Sequence, residues 1–125
     1  MSVPVLDTGA LIGLERRDPR LIALLDEIVR HRLTAFVPAG AVAQSWRGSA
    51  RQHAIAKLLR AKGVRVDPLD EQTALQVGVL LGSADTDDVV DGHVALLAAR
   101  VRGVVYTSDP ENIRALDSSL TTIPL

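Results

Sequence analysis

Short apolar runs alternate along this chain with stretches whose apolar residues recur every three or four positions. Val3-Pro4-Val5-Leu6, ended by Asp7, predicts a buried strand, followed by a short helix from about Gly9 to Leu14. Asp18-Pro19 predicts a helix start, with the carboxylate at the N-cap and proline at the first helical position. Leu21, Leu24, Leu25, Ile28 and Val29 continue that helix at the right spacing. Thr34–Val37 predicts a second strand, stopped by Pro38, and a helix then runs from about Ala39 to Trp46. Ser49 opens another helix, with Ile55, Leu58 and Leu59 on its apolar face and its end at Gly63. Val64-Arg65-Val66 is the third strand. Asp70 caps a helix through Ala74, Leu75, Val77, Leu80 and Leu81, with Gly82 beyond its end. After the loop Ser83–Asp87, the residues Val89, Val90, Val94, Leu96 and Leu97 predict a helix closed by Gly103. Val104–Thr107 is the fourth strand, 110–116 a short helix, and Thr121–Pro124 a last, edge strand. Strands separated by helices pair in parallel, with helices on both faces. The expectation is α/β: a single three-layer α/β/α domain over residues 1–125, with a mainly parallel sheet of four or five strands.

Composition narrows the chemistry. The 125 residues are 47% hydrophobic and carry a net charge of −1, so the chain is neither disordered nor short of core. No apolar run reaches the ~18–20 residues of a membrane span, and no basic stretch followed by an apolar run marks a signal peptide, so the expected compartment is the cytoplasm. Without cysteine there is no thiolate nucleophile, zinc knuckle or disulfide. One Phe, one Trp and one Tyr make no base-stacking platform. Carboxylates and hydroxyls are left to carry any chemistry.

The near-neutral charge hides a segregation. Six basic residues lie between Arg47 and Arg65 with no acidic one among them; seven acidic residues lie between Asp67 and Asp91 with no basic one. Solvated helix faces account for such runs. So does a cationic surface beside an anionic pocket, as an enzyme that cuts a polyanion with bound cations requires.

In an open parallel sheet, ligands bind outside the carboxyl ends of the strands. Asp7 ends the first strand, Ser108 and Asp109 follow the fourth, and Asp88 and Asp91 open a helix at the i, i+3 spacing that shares a face. Clustered carboxylates raise one another's pKa, and all-oxygen ligation suits Mg2+ or Mn2+. Each also has a structural role open to it: Asp7 as strand terminator and cap, Asp88 as N-cap, Asp109 before Pro110 as a turn. Asp91, inside an otherwise apolar helix, is the hardest to explain that way.

Val5-Leu6-Asp7-Thr8-Gly9-Ala10-Leu11, Asp88-Val89-Val90-Asp91-Gly92-His93 and Val105-Tyr106-Thr107-Ser108-Asp109-Pro110-Glu111, in this order and spacing, resemble a PIN domain, and more narrowly the ribonuclease toxin of a VapBC toxin–antitoxin pair. The resemblance spans essentially the whole chain. It implies a PIN-like fold and a Mg2+- or Mn2+-dependent endoribonuclease acting on structured RNA. It also implies a homodimer and a VapB-like antitoxin whose C-terminal segment blocks the site. Carried over by position, Asp7, Asp91 and Asp109 would be catalytic metal ligands, with Asp88 a further candidate. Thr8 and Ser108 would adjoin the site, and Arg47 and Arg51 would hold the RNA backbone.

One position departs from the pattern. The family usually has Glu on the helix after the second strand, where this chain has Gln44, and no Asp or Glu occurs anywhere between Glu27 and Asp67. Gln brings a carbonyl oxygen but no charge, which keeps open a second reading: a catalytically silent or weakened PIN domain that binds RNA or antitoxin without efficient cleavage. Asp7-Thr8-Gly9 is also the aspartic-protease signature, but that fold is all-β. An unrelated nucleotide phosphohydrolase would need a Gly-rich phosphate loop, and none is present. Trp46 could stack on a base or anchor the packing.

Overall fold

A computed structural model describes residues 2–125. Five parallel strands form one sheet in the order β3-β2-β1-β4-β5, with β1 Val3–Leu6, β2 Ala35–Pro38, β3 Val64–Asp67, β4 Gly103–Thr107 and β5 Thr121–Pro124. The helices are α1 Thr8–Glu15, α2 Pro19–Val29, α3 Ala39–Ser45, α4 His53–Arg60, α5 Glu71–Ala84, α6 Val89–Val101 and α7 Pro110–Leu116. No helix among the described residues is long and apolar enough to cross a membrane.

Alternation along the strands sorts the core into two layers. Leu6, Ala35, Val37 and Val64 bury against Leu11, Leu25, Ile28, Ile55 and Leu58 of α1, α2 and α4. Val5 and Val105 face the other way, onto Val94, Leu97 and Ala98 of α6 and Ile113 of α7. Helix α5 lies outside α6, through Val77, Leu81 and Ala95. The direction of winding reverses across the parallel β1/β4 pair: β1 leads outward to β2 and β3, β4 outward to β5. The carboxyl ends of β1 and β4 therefore flank the sheet's topological switch point, the place where such folds bind ligands.

Several predicted boundaries shift. Pro38 is the last residue of β2 rather than its stop. A 3-10 turn over Ala50–Gln52 precedes α4, and α4 ends at Arg60 rather than at Gly63. Helix α5 runs through Gly82 to Ala84, because its left-handed cap is Asp85 (φ 54°). Helix α6 likewise ends on left-handed Arg102 (φ 54°), and Gly103 already belongs to β4. There a Cβ would lie 2.7 Å from the Val3 carbonyl oxygen, so glycine serves close strand pairing rather than a turn.

Gln52 is buried and ties the loop after α3 to α1. Its Nε2 donates to Glu15 Oε1 (2.7 Å) and the Ser45 carbonyl (2.6 Å), and its Oε1 accepts from the Arg47 backbone N–H (2.7 Å). Gln52→Ala leaves these groups without partners and is expected to cost about 2–4 kcal/mol in chemical denaturation. A loss below ~1 kcal/mol would mean that water replaces all three bonds.

Candidate active site

Asp7 sits where β1 turns into α1 and is 5% exposed. Its Oδ1 accepts the Ala10 backbone N–H (2.8 Å), which caps α1. Burial raises its pKa above the ordinary carboxylate value, and the nearby charge of Asp109 adds to this. Hydrogen bonds from the Thr107 side chain and from the Ala10 and Gly9 N–H groups act in the opposite direction. Gly9 is required by close approach: a Cβ there would come within 2.8 Å of Ser108 Cβ. The Asp7-Thr8-Gly9 turn thus packs directly on the Ser108-Asp109 turn after β4.

Asp91 lies in the first turn of α6, half-buried, and its pKa is pushed up to about 6. Desolvation is the largest cause, followed by the charges of Asp88, Asp109 and Asp7. Asp88 is the N-cap of α6; its Oδ1 accepts the Asp91 N–H at 3.0 Å. Asp109 is exposed, and its Oδ2 accepts from Asn112 Nδ2 (2.6 Å) while its N–H donates to Thr107 Oγ1 (2.8 Å). All four carboxylates named from the sequence thus lie within electrostatic reach of one another. None of them is ion-paired to Lys, Arg or His among the described residues. A cleft of 220 Å3 opens beside Asp91, lined in part by Asn112 and Thr86.

The oxygen donors and their mutual repulsion fit a hard divalent cation in kind. They are not closed around one: among the described residues no three Asp, Glu, His or Cys side chains already converge to metal-holding distance. A cation would have to draw exposed Asp109 and half-buried Asp91 inward toward fixed Asp7.

The remaining predicted residues separate. Gln44, on α3, accepts the Thr8 hydroxyl at Oε1 (2.6 Å), so Thr8 orients Gln44. Arg47 folds back onto the Ala43 (3.0 Å) and Trp46 (2.8 Å) carbonyls at the end of α3, whereas Arg51 is exposed in the 3-10 turn. Trp46 is 37% exposed and anchors no core. Thr107 and Asn112 escaped the sequence reading as site residues. Thr107 carried one usable signal, a hydroxyl at the buried end of a strand. Asn112, three residues after Asp109, carried only the helical spacing.

Because folding raises the Asp91 pKa, its contribution to stability is present in full below pH ~4 and lost as pH rises through about 6. In metal-free buffer, Asp91→Asn is expected to match wild type near pH 4 and to melt about 2–4 °C higher at pH 7.5, a modest gap because water screens the group's open half. Equal melting temperatures at pH 7.5 would show that like-charge crowding is absent.

The architecture, a five-stranded parallel α/β/α sandwich with acidic side chains at its switch point, is the PIN-like fold. FitAcB from Neisseria gonorrhoeae matches it at a TM-score of 0.65 and 21% identity, over 97% of this chain and 96% of that one. FitAB bound to an IR36 DNA fragment matches at a TM-score of 0.64 and 20% identity, over 98% and 94%. VapBC2 from Rickettsia felis, bound to a DNA fragment from their promoter, matches at a TM-score of 0.67 and 12% identity, over 98% of each chain. No protein-family model matches the sequence, and neither does any curated protein.

Proposed function

We propose that this chain is the toxin of a toxin–antitoxin pair, an endoribonuclease that cleaves structured RNA with Mg2+ or Mn2+. The observation that carries the reading is the half-buried Asp91 grouped with Asp88, Asp109 and Asp7, its pKa pushed up to about 6 first by burial and then by their charges, with no cationic side chain paired to it. The likeness in fold to VapBC2 and FitAB supports it, since the motifs of this chain resemble the ribonuclease partner of a VapBC pair.

Asp7, Asp91 and Asp109 would hold the ion, with Asp88 close by. When bound, the ion supplies a water of lowered pKa and polarises the scissile phosphate. Asp7 is the fixed member, pinned by the Ala10 N–H and Thr107. Asn112 aims Asp109, and Thr107 holds the backbone beneath it. Arg51, which faces solvent, would take a backbone phosphate, and Arg47 would do so on leaving its carbonyl partners. Gln44, held by Thr8, offers the RNA a neutral donor where a carboxylate would repel phosphate.

The partners proposed are RNA, a VapB-like antitoxin and a second copy of the chain. The exposed side of α5 supports the homodimer. Leu75 and Val79 are 66% and 77% exposed, Gly78 and Gly82 on the same helix leave room for close approach, and Glu71 is its only charge. A Leu75→Glu/Val79→Glu variant is expected to be monomeric by light scattering; a dimer of unchanged mass would move the interface elsewhere.

The test of function is a cleavage assay on structured RNA across a Mn2+ and Mg2+ titration. Cleavage that appears with metal and vanishes in EDTA supports the reading. RNA or antitoxin binding without cleavage supports the silent domain that Gln44 allows.

A further inference from the structure

The basic run between Arg47 and Arg65 does not form one wall beside the carboxylates. Its carboxy-terminal half lines a separate pocket of 510 Å3 between the ends of α2 and α4, built from Val29, His31, His53, Lys57, Arg60 and Lys62 together with Ala61. No carboxylate lines it, and the one in the adjoining cleft, Asp26, is paired with Arg30 at 3.1 Å. Among the described residues, Lys57, Arg60 and Lys62 make no ion pair.

Cations in the last turn of α4 complement its dipole, which accounts for part of this arrangement. It does not account for Lys57 and Arg60 sharing one face at the i, i+3 spacing, where like charges repel. Nor does it account for Lys62 and His31, which close the same pocket from beyond the two helix ends. The pocket has the size of a small-ligand site, and Val29 and Ala61 give it an apolar floor against which a ribose or base can lie.

We propose that this pocket is a second RNA-binding site, in which Lys57, Arg60 and Lys62 hold backbone phosphates of the strand that is cut at the carboxylates. The inference rests on the RNA reading above. Gln44 adjoins Asp7 through Thr8, and Arg47, Arg51, His53, Lys57 and Arg60 then follow at intervals of two to four residues down to the pocket. Helix α4 adds about 12 Å to that path. A strand leaving the carboxylates, with one phosphate per nucleotide, meets Arg47, Arg51, Lys57 and Arg60 in turn. An acidic peptide has no reacting group to place at the carboxylates and so gains nothing from the continuity of the path.

The experiment is fluorescence anisotropy of a labelled RNA hairpin with a single-stranded tail, titrated with full-length protein in EDTA at several salt concentrations. Lys57→Ala/Arg60→Ala/Lys62→Ala, checked for folding by circular dichroism, is expected to weaken binding about 10-fold or more. The slope of log K against log salt should fall by about two, the figure for three single-strand phosphate contacts. Lys57→Arg/Arg60→Lys/Lys62→Arg should restore both. Unchanged affinity and slope in the alanine variant overturn the proposal, as does a loss that the charge-conserving variant fails to rescue. Metal-dependent cleavage of the same RNA is read separately. Cleavage with an unchanged slope removes the pocket and keeps the nuclease, whereas binding through the pocket without cleavage does the reverse.

Discussion

Asp7→Asn is expected to leave a folded protein whose metal-dependent RNA cleavage falls by at least about 100-fold, because removing a ligand forfeits several kcal/mol of charge stabilisation in the transition state. Folding should survive. The Asp7 side chain caps α1 through the Ala10 N–H, and Asn caps equally well. The buried carboxylate also carries a raised pKa, so its ionised form already costs the fold something that the neutral amide does not. Activity and stability should therefore move apart: kcat/KM collapses while Tm stays level or rises slightly. A variant that cuts RNA at the wild-type rate would remove Asp7 from the mechanism.

Gln44→Glu is expected to tighten Mn2+ binding by about 10- to 100-fold. The new carboxylate would take the place of an amide oxygen already held 2.6 Å from the Thr8 hydroxyl, one residue from Asp7. A unit charge about 4 Å from a divalent ion is worth about 2 kcal/mol even at the dielectric of bulk water, which falls inside that range. Without metal the same change should lower stability, since it adds a like charge one residue from Asp7. An unchanged or weaker Mn2+ affinity by calorimetry would defeat the assignment of Gln44 to the missing carboxylate's position.

Most of the fold is written in local signals. The β-strands are short apolar runs, and Asp18-Pro19, Asp70 and Asp88 stand at the helix starts where their side chains accept backbone N–H groups. Helix ends are less legible. Gly82 and Gly103 look like terminators, yet the left-handed positions fall on Asp85 and Arg102, and packing rather than preference decides. Asp91 is legible because a charge inside an apolar run is conspicuous: it is out of place among Val89, Val90 and Val94. Thr107, Asn112 and Gln52 are not, because a neutral polar residue acquires its role only from a partner that folding brings near. The basic run misleads for a related reason. Charge counted along the chain does not tell which side of α4 it occupies, and Lys57, Arg60 and Lys62 end on a pocket that Gln44 does not line.

The most direct test needs no knowledge of the RNA target: calorimetric titration of Mn2+ into the metal-free protein at pH 7.5, alongside Asp91→Asn. The carboxylates at the β1/β4 switch point are predicted to bind Mn2+ saturably in the wild type and to lose at least about 10-fold in affinity in the variant. Equal binding by the two proteins, or none by the wild type, would contradict a metal site at this rim.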